Sequence, residues 1–455
     1  MSTTRGQWGS RLGFILAAAG SAIGLGNIWK FPYITGENGG GAFVIIYLCC
    51  IALVGLPILL GEILIGRMAQ TSPVGAFQKL ARPKSPWMGV GFLGVIASVV
   101  VLSYYSVVAG WAIHYTVGSV TGSVLNADIA QSKAAFGALY ENGMLNVIYH
   151  SAFMFATALI VIGGIQKGVE RASRVLMPTL FIFLIILAIY ASRLSGFPKA
   201  FNFVFGFHTH DLKPAGVLEA LGHSFFSLSV GMGAMLTYGS YLSKHDDIVA
   251  ASIATTVLDT LVALLACVIL FPITFTAGIA PSSGPGLVFI NMPVALAGLP
   301  GGALLATVFF VLLVFAAITS SISMLEVICA YFIDEKGWSR KKAVITTSIF
   351  IFLLGIPSAL SGGKGFFGAG VTQIVGKNWF DAFDYLASNW MLPLGGLGIA
   401  LFAGYRIDAA ARAADFADGS RLGKLLFVYM GWLQLIRFVA PIAILFIILH
   451  AIGVV

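Results

Sequence analysis

The chain has 455 residues, of which 58% are hydrophobic and only 10% charged, and its mean hydropathy is +0.95. Soluble domains carry about a quarter charged residues, so this composition excludes an ordinary soluble protein and describes one that crosses a membrane many times. The net charge of +8 resembles a nucleic-acid signal only until the charges are placed along the chain.

Eleven apolar runs follow one another, at about 10–36, 41–69, 88–120, 144–163, 169–193, 217–241, 246–277, 300–333, 341–361, 380–405 and 424–453. Each is long enough to cross about 30 Å of hydrocarbon. With a cytoplasmic N-terminus, 18 of the 26 Lys and Arg fall in inner segments and 7 in outer ones, while Arg437 lies inside the last run. This is the positive-inside pattern, so the basic excess reads as topology, with no nucleic-acid partner, and an odd span count puts the C-terminus outside. The first run is too long and too polar for a cleavable signal peptide. Short tails and the lack of N-x-S/T sequons fit a bacterial inner membrane. Cys49, Cys50, Cys267 and Cys329 sit inside apolar runs and imply neither a disulfide nor a metal site. The longest loops, 121–143, 194–216, 278–299 and 362–379, fall outside, and 406–423 reads as a solvated inner loop or short surface helix. The expected fold is all-α, one transmembrane domain over 1–455.

Two runs are built to break. The first contains "GSAIGLGNIWKFP", residues 20–32. Gly20 and Gly24 also form a small-xxx-small packing motif, but packing does not need Asn27, Lys30 and Pro32 within the next turn and a half. The sixth contains "FFSLSVGMGAMLTYGSY", residues 225–241, with Ser227, Ser229, Gly231 and Gly233 at mid-span. The two runs would each open one half of a five-plus-five inverted repeat, about 10–193 and 217–405, with an extra helix at about 424–453. Discontinuous helices at matching places in two halves mark a midplane binding site in a secondary transporter. Unwound backbone must face a cavity or a ligand. Half-helix N-termini then offer N–H donors to an anion, and freed carbonyls with Asn, Ser and Thr oxygens suit Na⁺. "AAITSSIS" in the eighth run adds hydroxyls, although such hydroxyls commonly bond back to their own helix. Glu62, Asp259 and Glu326 are acids inside apolar runs and should be paired or functional. For Glu62 the alternative is buried structural hydrogen bonding.

Four stretches, "RLGFILAAAGSAIGLGNIWKFPYITGENGGGAF", "SYYSVVAGW", "FFSLSVGMGAMLTYGSYLSKHDDI" and "AAITSSISMLE", together resemble the neurotransmitter:sodium symporter family. The likeness runs in order over essentially the whole chain and is strongest to the bacterial amino-acid branch, which includes eleven-helix members. It implies a sodium-coupled symporter of L-amino acids working by alternating access, with two Na⁺ ions, no organic cofactor, and lipid and a small-molecule substrate as partners. It also implies the ligands. One sodium site would use the Ala22 carbonyl, Asn27, Ser227 (threonine is usual there) and Asp259. The other would use carbonyls of Gly20, Ile23 and Ala316 with hydroxyls of Thr319 and Ser320. The substrate pocket would be formed by Ala22, Leu25, Gly26, Val101, Tyr105, Phe226, Ser229, Met232, Ser320, Ser323 and Met324.

The resemblance bears on specificity and gating as well. Monoamine carriers of the family have an aspartate at the position of Gly24, so a glycine there implies that the substrate brings its own carboxylate. Met232 and Met324 can repack around varied ligands, which implies bulky hydrophobic or aromatic amino acids. Ala263 stands where chloride-dependent relatives have a serine, and Asp259 lies close by. Chloride-independent transport, with proton antiport through Asp259, is implied. The outer gate would pair Lys30 with Asp384, with Tyr105 and Phe226 as the lid. The inner gate would pair Arg5 with Asp334, amid Trp8, Tyr241 and Glu326. Gly168 and Pro178 would let the fifth span kink open. An amino-acid receptor and a channel are the competing classes. An enzyme is the least supported, because no nucleophile–base pair or metal cluster stands out and the seven histidines are scattered.

Overall fold

A long apolar run can satisfy its backbone in lipid by becoming a helix, and these runs do so. In a computed structural model, which describes residues 6–82, 84–126, 128–206, 214–279 and 286–452, no strand occurs among the described residues. The first run gives α1 (Arg11–Ala22) and α2 (Gly26–Glu37), bent by 49° at the break between them. The next four give α3 (Gly41–Ala69), α4 (Met88–Thr121), α5 (Gly143–Ile162) and α6 (Ile165–Ala191). The sixth divides into α7 (Pro214–Ser227) and α8 (Ala234–Gly239), neither long enough to span alone. Then come α9 (Ile248–Thr276), α10 (Gly302–Lys336), α11 (Arg340–Ala359), α12 (Trp379–Arg406) and α13 (Leu426–Ala451).

The two longest helices, α4 and α10, lie side by side through the middle of the bundle. Residues 100–112 of α4 are buried without interruption. Around this centre α5, α6, α11 and α13 turn Phe155, Ile182, Ile185, Ile349, Leu353 and Ile442 outward. That is the apolar face a bilayer solvates.

The two interruptions have local causes. Ser10 caps α1 by accepting the Gly13 N–H at 2.9 Å, and α1 ends where Ile23 leaves helical geometry (φ −72°, ψ 100°). In the sixth span Ser229, Gly231 and Gly233 have φ of +52°, +87° and +76°. Two glycines make that left-handed path cheap. α8 then crosses α3 so closely that a Cβ on Gly239 would lie 2.6 Å from the Ile63 carbonyl oxygen.

The long loops carry short helices of their own, Ile129–Glu141, Phe197–Phe205, Leu287–Ala297 and Phe366–Val375. The segment 406–423 contains the helix Ala409–Ala417, and the buried Arg67 guanidinium anchors it by donating to the Asp415 carboxylate at 3.0 and 3.1 Å. It is thus less solvated than its charges suggest. All four cysteines are free, with Cys49 exposed, Cys50 partly so and the other two buried.

Candidate functional site

The break in the first span faces the break in the sixth, and the groups freed there find partners on each other. Tyr105, from the buried middle of α4, accepts the Leu25 N–H at 3.2 Å. Asn27 folds back to accept the Gly24 N–H at 3.0 Å. Its amide donates to the Asp259 carboxylate at 2.7 Å, the Asp259 carbonyl at 3.0 Å and the Ser227 hydroxyl at 3.2 Å. Ser227 donates to the other Asp259 oxygen at 2.8 Å and accepts from Tyr47 at 3.1 Å. Asn27, Ser227, Asp259 and Tyr47 are all essentially removed from solvent. Three of the four residues expected at the first sodium site therefore form one hydrogen-bonded cluster of oxygens, with Ala22 lining the adjoining cavity.

The second set also converges. Ser320 on α10 points its hydroxyl at the carbonyls of Ser21 (3.0 Å), Ile23 (3.3 Å) and Gly20 (3.4 Å). Thr319 bonds back to Ala316 at 3.0 Å and to Phe315 at 3.1 Å, and its Cβ lies 3.1 Å from where a Cβ on Gly20 would stand. Five expected residues from two helices thus meet at the end of α1. The first set combines neutral oxygens with the Asp259 carboxylate and the second is neutral oxygens alone, donor sets of low charge that suit a hard monovalent cation.

Between them lies a cavity lined by Ala22, Gly24, Leu25, Gly26, Val101, Tyr105, Phe226, Ser229, Met232, Ser320 and Met324. Of the expected pocket residues only Ser323 is missing from this lining. Its hydroxyl donates to the Ser320 carbonyl at 2.8 Å and accepts from Ser21 at 2.6 Å, so it stands behind Ser320. Ser229 donates to the Ser21 carbonyl at 2.8 Å. The space open to the centre of a water molecule is about 20 Å³, which is little more than one water needs. A Cβ on Gly24 would stand 2.6 Å from the Ser320 oxygen and 2.9 Å from the Tyr105 hydroxyl.

Above this cavity Lys30 lies 4.0 Å from Asp384 and 4.8 Å over the Phe226 ring. Tyr104 and Ser388 donate to the same Asp384 oxygen at 3.0 and 3.1 Å. Below it, at the basic end, Trp8 donates its indole N–H to the Tyr238 carbonyl at 2.9 Å, and its backbone N–H to Tyr241 at 3.2 Å. Tyr241 donates to Glu326 at 2.7 Å, and Glu326 is ion-paired with Arg340. Arg340 also donates to the Val161 carbonyl at 2.9 Å. Arg5 lies outside the described residues, so the expected Arg5–Asp334 pair has no geometry here.

Two contributors, Tyr104 and Arg340, are not legible in the sequence: one neighbours Tyr105 in an apolar run, and the other is one of several basic residues at the start of a span. Glu62 is legible as an acid in an apolar run, and the structure shows the buried hydrogen bonding that is its alternative reading. It accepts the Gly231 N–H at 2.6 Å and the Leu236 N–H at 3.2 Å, closing the N-terminal turn of α8. A carboxylate from a neighbouring helix here does what an N-cap side chain does elsewhere, and its signal is an acid facing a Gly-rich break.

Broken helices around a buried midplane cavity, closed at both ends by separate contacts, define a secondary transporter. The model of the sodium:neurotransmitter symporter family matches residues 5–134 and 128–454, and the chain belongs to that family. It is therefore a sodium-dependent symporter and not an enzyme. It is 40% identical over 448 residues to the uncharacterized sodium-dependent transporter YhdH of Bacillus subtilis, covering 98% of each chain. It is 34% identical to a further such transporter of Haemophilus influenzae, over 97% of each. The solved structure of MhsT in complex with L-phenylalanine superposes with a TM-score of 0.90 at 45% identity, covering 98% of this chain and 100% of that one.

Proposed function

We propose that the protein carries bulky hydrophobic or aromatic L-amino acids together with two Na⁺ ions, by alternating access, without need of chloride. The observation that carries this reading is the pairing of Gly24 with Tyr105. The pocket has no carboxylate of its own at that point, while a phenol hydroxyl and the N–H of Leu25 meet there as donors for one. A free amino acid supplies the missing group. Its α-carboxylate binds at the Leu25–Gly26 turn and Tyr105, and its ammonium goes to carbonyls around Ser229. MhsT is a relative solved with L-phenylalanine, which supports an aromatic substrate. Phe226, Met232 and Met324 must move apart to admit such a side chain, and thioethers repack readily.

Sodium is a co-substrate in this scheme. At Ala22, Asn27, Ser227 and Asp259 it completes the carboxylate site; at Gly20, Ile23, Ala316, Thr319 and Ser320 it ties α1 to α10. Because one ion adjoins the substrate carboxylate, sodium and amino acid each raise the other's affinity by the same factor. Asp259 supplies a fixed negative charge beside Tyr47, Ser227 and the small, fully buried Ala263, where chloride-dependent relatives hold an anion. Protonation of Asp259 on the return step neutralises it, so a proton is exported. Lys30–Asp384 with Tyr105 and Phe226 closes the external side. Trp8, Tyr241 and Glu326, with the Arg5–Asp334 pair, close the cytoplasmic side. The orientation is N-terminus in and C-terminus out in a bacterial inner membrane, with two repeats at about 10–193 and 217–405 and an added helix at about 424–453.

The test is uptake of labelled phenylalanine into proteoliposomes with sodium, chloride and proton gradients imposed one at a time. Accumulation should follow the sodium gradient, survive replacement of chloride by gluconate, and become chloride-stimulated in Asp259→Asn. Saturable binding without accumulation would turn the reading to a receptor, and equal competition by glycine and tryptophan would remove the preference for large side chains.

A further inference from the structure

The start of α1 is held by a carboxylate from another helix. Glu170, in the first turns of α6 and only 3% exposed, accepts the Gly9 N–H at 2.7 Å and the Ser10 hydroxyl at 3.2 Å. These are donors at a helix N-terminus, where a negative charge is most favourable. Space for the carboxylate comes from Gly13, whose Cβ would collide with it. The oxygen that takes the Ser10 hydroxyl also takes a hydrogen bond from Arg174, one turn further along α6, at 2.6 Å, and Arg174 reaches Ser10 at 2.6 Å as well. The Arg174 side chain is half exposed, while Glu170 is enclosed.

We infer that Glu170 is a positioning residue, a latch that holds the inner half of the first span closed and couples its release to the fifth span. The partners of Glu170 are asymmetric. Gly9 and Ser10 belong to the element that must move if the cytoplasmic side opens, whereas Arg174 travels with Glu170. On release the carboxylate keeps its guanidinium, so no bare charge is left behind, and the freed donors of α1 become hydrated at the membrane edge. Glu170 therefore favours closure, while Arg174, which also donates to Ser10 in the closed arrangement, serves chiefly to neutralise the carboxylate once α1 has left. The turn preceding Glu170 suits such a role: it is a wide π-helical stretch, Ile165–Glu170, entered through Gly164 at φ +79°.

The inference rests on alternating access, and its test reads conformation without requiring transport. Met177 on α6 is fully buried against Gly20, so a cysteine there becomes reachable from the cytoplasmic side only when α1 withdraws. In a background with the four native cysteines replaced, Met177→Cys is labelled by a membrane-impermeant thiosulfonate with and without sodium. Glu170→Ala should speed labelling in sodium about tenfold or more, the scale of one charge-assisted hydrogen bond, and Glu170→Gln should fall between. Arg174→Ala removes only the half-exposed tie to Ser10 and leaves the carboxylate on the α1 donors, so it should change labelling by no more than about threefold. A contact that merely packs the two helices would loosen as much in Arg174→Ala as in Glu170→Ala, so equal acceleration in the two, or no change in Glu170→Gln, overturns the latch. Uptake measured beside it separates the two ideas: the Glu170 labelling shift without sodium-driven uptake would sink the transport reading and leave the latch standing.

Discussion

Gly24 is the residue where the least atom count decides the most. A single added methyl there meets the Ser320 oxygen at 2.6 Å and the Tyr105 hydroxyl at 2.9 Å, both closer than a Cβ is ever found. Both are ends of side chains that can retreat, so the protein should still fold. The hydroxyls that retreat are those proposed for the second sodium set and for the substrate carboxylate, however. Gly24→Ala should therefore raise the KM for phenylalanine at least about tenfold, the cost of one misplaced hydrogen-bonding group. Gly24→Asp should abolish amino-acid uptake, since its carboxylate would occupy the place proposed for the substrate's own. The melting temperature of each purified variant checks that the loss is local, and a Gly24→Asp protein that still accumulates phenylalanine would contradict the placement. The opposite pocket wall gives a second residue-scale prediction. Met232→Phe stiffens a wall that must yield, so tryptophan uptake should fall more than leucine uptake in a competition assay.

At the scale of elements, the sixth span depends on a helix it does not belong to. The turn after Ser227 and the start of α8 leave N–H groups without helical partners, and Glu62 on α3 takes one from each, Gly231 in the turn and Leu236 in α8. Truncating Glu62 to Ala leaves both donors buried, at about 1–3 kcal/mol each, so a clear drop in thermal stability is expected. Glu62→Gln keeps one good acceptor and should recover part of the loss. Equal stability of the Ala variant and the native protein would mean that water replaces the carboxylate. The same element shows how far sequence reasoning reaches. The eleven runs and both breaks were visible, because long apolar stretches and glycines in mid-span are statements about backbone, and backbone in lipid has few options. The residues converging on the breaks came from a family pattern; nothing local in "AAITSSIS" says that Ser320 points across to α1 while Ser323 stands behind it. Glu170, Tyr104 and Arg340 were illegible for a related reason. Each acts on a segment 14 to 280 residues away, and charge or aromaticity alone does not reveal the partner.

The whole molecule is closed unequally at its two ends. At the far end Lys30 and Asp384 stand 4.0 Å apart with side chains 19% and 38% exposed. A pair so open and so long contributes about 0–1 kcal/mol, and lysine lacks the fork that would sharpen it. At the basic end Glu326 is fully buried and held by Tyr241 and Arg340, while Trp8 is pinned to the carbonyls of Tyr238 and Tyr241. Only the carboxylate of this pair is fully buried, since the Arg340 side chain is 25% exposed, but losing the guanidinium still strands that carboxylate, at a cost below the about 3–5 kcal/mol of a wholly buried pair. Lys30→Ala should therefore change the KM for phenylalanine by no more than about threefold. Arg340→Ala strands Glu326 and removes the tie to Val161, which drives the basic end toward its open arrangement. In the proposed scheme sodium favours closure there by bridging α1 and α10, and it must then work against that bias. The expected signature is a sodium concentration for half-maximal phenylalanine binding raised at least about tenfold in Arg340→Ala, and partly restored when Glu326→Gln is added, since the stranded charge is then gone. A double variant no better than Arg340→Ala would assign the defect to the lost Val161 contact instead of the buried pair.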